Sequence, residues 1–351
     1  MIFHTATAVN NKFKINIQKA VNPPFLLYYF FMEEKLGAFI VPTGVGASIG
    51  GYAGDASVWA RKFAQKSRLI VNPNVVNAGG FSGITDNMLY VEGYSLDSFF
   101  KGEICLQPSV NNKIGVIFDR AIPKDVLNIH INTMNAVKTV YGTNIIGYEI
   151  SEDEVGVEFF MTEQGISVGS VNNIETLYES AKKMLEKGAD ALAIVCLFDD
   201  AENLNTDYSK GTGTDPVGGV EAIISHSISK KFKVPCAHSP AFADYSICSE
   251  LVDAKSAAEY ITPTFLPCIL LGLANAPKIS KSGIGISDVD YLVVPYDALG
   301  SVPVFEALKR NIPVYAVKEN VTVLDVTNET LHKSNKITVV DTYQQCYDLL
   351  F

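Results

Sequence analysis

Apolar residues in this chain fall into short runs divided by polar, glycine-bearing turns, and the runs follow two different periods. "ALAIVCLF" (Ala191 to Phe198) and "KIGVIFD" (Lys113 to Asp119) are apolar without alternation. That is the pattern of strands covered on both faces, as in parallel sheets. In "NIETLYESAKKMLEKG", Leu177, Ala181, Met184 and Leu185 recur at helical spacing, and Gly188 supplies a stop. "KDVLNIHINTMNAVKTVYG" predicts a second helix, ending at Gly142.

These elements join into a unit that recurs three times in loose form. The first copy is "FIVPTGVGASIGGYAGDASVWARKFAQKSRLIVNPNVVN", the second "KGTGTDPVGGVEAIISHSISKKFKVPCAHSPAF", and the third "YLVVPYDALGSVPVFEALKRNIPVYAVKENVTVL". Glycine-bearing loop, helix, basic turn and strand follow one another in each, with a leading strand in the first and third. Such β-loop-α-β units imply parallel strands joined by right-handed crossovers. The expected fold is α/β, with mostly parallel sheets built of Rossmann-like units and two lobes around a cleft. Residues 1–36 read as an extension, 37–150 as the first lobe and 151–351 as the second.

Composition narrows the functional classes. Hydrophobic residues make up 48% and charged residues 19%, with a net charge of −10. A chain without basic clusters is a poor binder of nucleic-acid phosphates. Six scattered cysteines with no Cys-x-x-Cys pair form no disulfide framework, so a reducing, cytoplasmic setting is expected. "PFLLYYFFM" (Pro24 to Met32) is too short for a membrane span, which needs about 20 apolar residues. It reads as an extension or edge element, with a membrane or partner contact as the alternative. A homo-oligomer is compatible with the sequence.

Candidate chemistry collects where predicted strands end, the usual ligand edge of a doubly wound sheet. "VPTGVGASIGGYAGDA" places Thr43, Gly44, Gly46, Gly50, Gly51 and Gly54 between a strand and a helix, a layout that aims backbone N–H groups at an anion. It matches neither the P-loop, which ends in Gly-Lys-Ser/Thr, nor the Gly-x-Gly-x-x-Gly dinucleotide spacing. Asn72, Asn74, Asp297 and Asn320 lie at other strand ends, where ligand contact and turn chemistry fit equally. Asp55 opens the first helix, where capping is the plain alternative to a role in catalysis. On the helix after Pro216, His226 points away from the stripe of Val220, Ile224 and Ile228, as a surface or a site residue would. His238 follows closely on a strand, and Cys236 two residues before it shares its face. Cys236 reads as a buried filler or as a nucleophile with a histidine base. A metal at Cys236 and His238 would need Asp215, His226 or Glu221 as further ligands.

Taken together, "PTGVGASIGGYAGDA", "NPNVVN", "YVEGYSLDSFFKG", "KGTGTDPVGGVEAIISH", "VPCAHSPAF" and "ITPTFLPC" resemble the domain-of-unknown-function family 3326 of bacteria, cyanobacteria and plants, from Gly37 to the end. The resemblance implies signature positions at Gly50, Gly51, Gly54 and Asp55, at Asp215, Pro216, Gly219, Glu221 and His226, and at Cys236, His238 and Pro240. It implies no activity. Asn72-Pro73-Asn74 departs from the His-Pro-Asn of some members. The expected function is an enzyme acting on a small anionic metabolite by acid–base chemistry of His226, His238, Glu221 or Asp55, with no cofactor predicted. The reaction would be of lyase, isomerase or hydrolase type. A metabolite-binding or regulatory protein and a nucleotide-dependent transferase or oxidoreductase are the alternatives.

Overall fold

A computed structural model describes residues 35–42, 54–198, 208–243, 251–331 and 334–351. The predicted extension therefore lies outside the described residues, apart from its last two positions, which begin a strand. The first part of the chain forms β1 (Lys35–Phe39), α1 (Ser57–Ala64), β2 (Ser67–Val71), α2 (Pro73–Val76), β3 (Asn77–Ala78), β4 (Phe81–Ser82), β5 (Met88–Tyr90) and α3 (Gly93–Phe100). The middle forms β6 (Cys105–Gln107), β7 (Ile114–Phe118), α4 (Lys124–Tyr141), β8 (Ile145–Ile150), β9 (Val157–Met161), β10 (Ser167–Val171), α5 (Ile174–Glu186) and β11 (Ala191–Leu197). The last part forms α6 (Gly218–Phe232), β12 (Cys236–Ala241), α7 (Leu266–Ala274), β13 (Lys278–Ser280), β14 (Tyr291–Pro295), α8 (Val302–Lys309), β15 (Val314–Val317), β16 (Ile337–Val340) and α9 (Tyr343–Leu350).

Two parallel sheets organise these elements. The larger has the order β16-β15-β14-β1-β2-β5, and the smaller the order β12-β11-β7-β8. The inner strands β7, β11 and β14 are apolar because both of their faces are covered, whereas the edge strand β8 alternates buried and exposed positions. β14, "YLVVP", is buried along its whole length. Gly37 is required by this packing: a Cβ there would sit 2.1 Å from Cζ of Tyr291 on the neighbouring strand. β1 and β14 are joined across a long stretch of sequence, and the Leu36 N–H donates to Asp290 Oδ2 at 2.8 Å from 254 positions away.

The helices form where periodicity places them. α4 buries Val126, His130, Met134 and Val137 on one stripe and ends at Gly142 in the left-handed conformation, φ 69°. α5 buries Leu177, Ala181 and Met184, and Gly188 follows at φ 93°. The three β-loop-α-β stretches end in parallel strand pairs: β1 with β2, β11 with β12, and β14 with β15.

Residue 150 ends β8, inside the smaller sheet, whose other strands lie on both sides of that point in sequence. The larger sheet takes strands from both ends of the described chain. The sheets also share a core, in which Phe39 and Val71 of the larger and Val116 and Ala193 of the smaller belong to one cluster with Leu266, Ile269 and Leu270 of α7. In the larger sheet, β1 leads outward to β2 and β5, and β14 leads the other way to β15 and β16, so the order reverses between β1 and β14. Ligand sites of open α/β sheets favour the carboxyl ends of strands at such a reversal.

Candidate functional site

The structure sorts the predicted site residues into two groups. The first lies along the carboxyl edge of the larger sheet, where most of its polar side chains hold loops. Asn72 follows β2 and is buried. Its Oδ1 accepts from the Val41 N–H at 3.0 Å, and its Nδ2 donates to the Val41 carbonyl at 2.5 Å. Asn74 Nδ2 donates to the Pro42 carbonyl at 2.5 Å. Both asparagines thus clamp the segment that leads out of β1. Asp297, after β14, accepts from the Thr322 N–H at 2.8 Å and from its hydroxyl at 2.9 Å. Buried Asn320 donates to the Tyr343 hydroxyl at 3.0 Å, and the charge of Asp55 is felt at the same hydroxyl. Gly54, at φ 73°, lies so close to the β3 strand that a Cβ would meet that of Ala78 at 2.6 Å. Thr43, Gly44, Gly46, Gly50 and Gly51 lie outside the described residues.

The second group surrounds α6. Asp215 Oδ1 accepts from the Val217 N–H at 3.0 Å, so this carboxylate helps to tie down the start of the helix. Gly219 packs against the β10 backbone. A Cβ there would lie 2.2 Å from the Ser167 carbonyl oxygen, and its N–H donates to Ser167 Oγ at 3.1 Å. Asp215 and Gly219 thus have local structural tasks.

One turn into α6, Glu221 is buried and faces β12. His238 lies within β12, a correction to its expected place beyond the strand. Its Nδ1 is 2.8 Å from Ser225 Oγ, and its Nε2 is 4.0 Å from Glu221 Oε2. Glu221 Oε1 is buried with no hydrogen-bond partner among the described residues. A buried polar atom left in this state is costly and calls for an explanation.

His226 projects from the other side of α6 onto the first turn of α3. Its Nε2 is 3.8 Å from Glu92 Oε2. A Cβ on Gly93 would lie 2.5 Å from the same nitrogen, so only glycine lets the imidazole approach this closely. Glu92 caps α3, accepting from the Tyr94 N–H at 2.8 Å, the Ser95 N–H at 2.9 Å and the Ser95 hydroxyl. Sequence reasoning passed over Glu92. Glutamate is an unusual capping residue, and nothing in the chain's local pattern links it to a helix more than 120 positions later.

Burial sets the electrostatics of this group. It pushes Glu221 well above the usual carboxyl range, and the neighbouring charges of Asp215 and Glu259 add to the shift. Burial also raises Glu92, against the opposing hydrogen bonds from Ser95 and Tyr94. The imidazoles move the other way: burial takes His226 to about 4, and burial with the charge of His226 takes His238 to about 3. His226 keeps 36% of its side chain exposed, so solvent moderates its shift. At neutral pH burial therefore favours the uncharged forms of both imidazoles and both carboxyls.

Cys236 is buried on the same strand and lines a small crevice with Tyr90, Glu92, Ser95, Pro235 and Leu273. Burial, then the charge of Glu92, pushes its thiol well above the ordinary range. That opposes the thiolate a nucleophile needs. Among the described residues, no set of three or more His, Cys, Asp and Glu side chains is arranged to hold a metal.

Segment 256–262 packs on the β3–β4 turn and carries a charge that reaches Glu221. Glu259, whose charge reaches Glu221, follows Ala258, and a Cβ on Gly79 in the β3–β4 turn would meet the Ala258 carbonyl oxygen at 2.2 Å.

The profile of the protein-of-unknown-function family DUF3326 matches residues 37–350. The chain belongs to this family. An uncharacterised lipoprotein of Synechococcus sp. is 37% identical over 296 residues, covering 82% of each chain. No solved structure matches significantly. The relative's name conflicts with the cytoplasmic setting expected from the cysteines, and that expectation is withdrawn. Cysteine scarcity was a weak guide, because a chain this long can form a large core without disulfides in any compartment. No helix among the described residues is long and apolar enough to cross a membrane.

Proposed function

We propose that this DUF3326 protein is an enzyme that moves a proton on a small anionic metabolite, with His238 as base and Glu221 as its acid partner. The substrate would occupy a cleft between two Rossmann-like lobes, with its reacting end toward α6. The observation that carries this reading is the buried Glu221–His238 pair, 4.0 Å apart, with one Glu221 oxygen left without a partner among the described residues. Opposed environments that keep a carboxyl protonated and an imidazole neutral assign an acid and a base at one pH. A proton transfer of this kind would serve lyase, isomerase or hydrolase chemistry.

The lipoprotein name of the Synechococcus relative favours a second reading, a non-catalytic metabolite-binding protein held at a membrane. One experiment separates the two. A thermal-shift screen with phosphates, carboxylates and nucleotides identifies a stabilising ligand, and turnover of that ligand is then followed by NMR. The enzyme reading expects product, and a loss of about 10²-fold or more in His238→Gln and Glu221→Gln. A ligand that binds both variants and the parent equally, and is never consumed, rejects catalysis at this pair.

A further inference from the structure

We infer that Ser225 is a positioning residue that holds His238 as the Nδ1–H tautomer, leaving Nε2 as the proton acceptor directed at Glu221. The inference deepens the acid–base reading above, because it states which nitrogen acts, and it rests on that reading only for its functional meaning.

A neutral imidazole carries its single proton on one nitrogen, and the hydrogen bond made by the other ring atom decides which. Ser225 Oγ lies 2.8 Å from His238 Nδ1, so one of the two atoms donates to the other. The serine hydroxyl has one proton to give. It also lies 3.4 Å from the carbonyl oxygen of Ala222, three residues back on α6, the acceptor a helical serine ordinarily uses. A hydroxyl that donates to that carbonyl presents only lone pairs to the ring. Nδ1 must then carry the proton and donate to Oγ, and Nε2 is bare.

The far side of the ring agrees with this assignment. Nε2 faces Glu221 Oε2 at 4.0 Å, close enough for a small shift to close the gap. A carboxyl whose protonated form is favoured by burial has an O–H to offer a bare Nε2. Ser225 is fully enclosed and His238 is mostly so, so water competes little for either nitrogen. The charged and titratable groups nearest the ring are Glu221 and His226, and His226 is itself neutral near pH 7.

The test is a long-range 1H–15N correlation spectrum of the folded full chain with 15N-labelled histidine at pH 7. The chain has five histidines, and His238 is assigned by the signal missing in His238→Gln. The expected spectrum has Nδ1 pyrrole-like and Nε2 pyridine-like. Ser225→Ala should shift the signals toward the Nε2–H form, a change that loss of packing alone would not produce. A pyrrole-like Nε2 in the parent protein overturns the inference, and so does a tautomer that Ser225→Ala leaves unmoved. The parent spectrum decides the tautomer even where the alanine variant fails to fold. None of these readouts requires turnover, so failure of the proposed activity would appear separately.

Discussion

Nε2 of His238 lies 4.0 Å from Oε2 of Glu221, and the two residues reach that separation from different elements, one from the middle of an edge strand and one from the first turns of a helix. The pair has a direct consequence for stability. Because burial raises Glu221, the folded protein holds a proton there that the unfolded chain releases above about pH 4.5. The stabilising protonated state is present below that pH and is lost as pH rises toward the raised value. Glu221→Gln, which cannot ionise, should therefore melt above the parent at pH 7, with the gap closing toward pH 4.5. One proton corresponds to at most about 1.4 kcal/mol per pH unit. Denaturant melts across pH 4.5–8 test this, and a gap that does not change with pH refutes it.

His130 should show the opposite sign. It is fully buried on α4, with Nδ1 2.8 Å from Thr264 Oγ1 and Nε2 without a partner among the described residues. Burial lowers it from 6.5 to about 4. The unfolded chain takes up a proton first, so stability falls as pH drops from about 6.5 to about 4. His130→Gln should flatten that slope by up to about 1.4 kcal/mol per pH unit. Equal slopes in parent and variant would rule out a neutral buried His130.

Gly93 and His226 are coupled sterically. The nearest atoms to an added Cβ are the tip of a partly exposed imidazole, which has room to swing outward. Gly93→Ala should therefore change stability by less than about 1 kcal/mol, since alanine also favours the helix. It should release His226 from Glu92 and raise its pKa from about 4 toward 6.5. An NMR titration reads this directly, and an unmoved His226 would show that the contact is not confining.

Asn72 is expected to matter first for folding. Its side chain satisfies both polar groups of Val41 in a buried setting. Asn72→Ala strands a buried N–H and a buried carbonyl, each worth about 1–3 kcal/mol. A drop in denaturation midpoint of this order is expected. A variant that is fully stable but no longer binds ligand would return Asn72 to the ligand-contact role read from the sequence.

The thiols supply a fifth contrast. Cys196, Cys236, Cys268 and Cys346 are buried, whereas Cys105 is partly exposed. Burial pushes Cys268 and Cys346 up to about 12. Iodoacetamide at pH 8, followed by peptide mass spectrometry, should modify Cys105 before these four, and Cys236→Ser should keep ligand binding. Rapid alkylation of Cys236 that a ligand prevents would make it a reactive thiol.

What the sequence made legible was whatever depends on local period. The two-sided burial of β7 and β11, the stripes of α4 and α5 and their glycine ends could be read directly. His226 pointing off the stripe was also readable, because helical geometry fixes it. The extent of β12 was not. "CAHSPA" contains a polar histidine and Pro240, which read as strand end, yet the strand continues because β12 is at the sheet edge, where proline costs no ladder bond on its open side. The approach of Glu92 to His226, and the pairing of β1 with β14, were hidden for one reason. Both join segments remote in sequence, and no local pattern records which remote segment a strand or helix will meet.

That remote pairing orders events in time. As the chain leaves the ribosome, β1, β2 and β5 emerge early, but the strand that covers the open side of β1 does not appear until Tyr291. At about 5–20 residues per second, roughly 200 residues of delay amount to about 10–40 s. Through that interval the nascent protein carries a bare, apolar sheet edge while the entire smaller sheet is being made. Chains cut short before residue 291 would keep that edge for good, and should be the forms that chaperones retain or that self-associate.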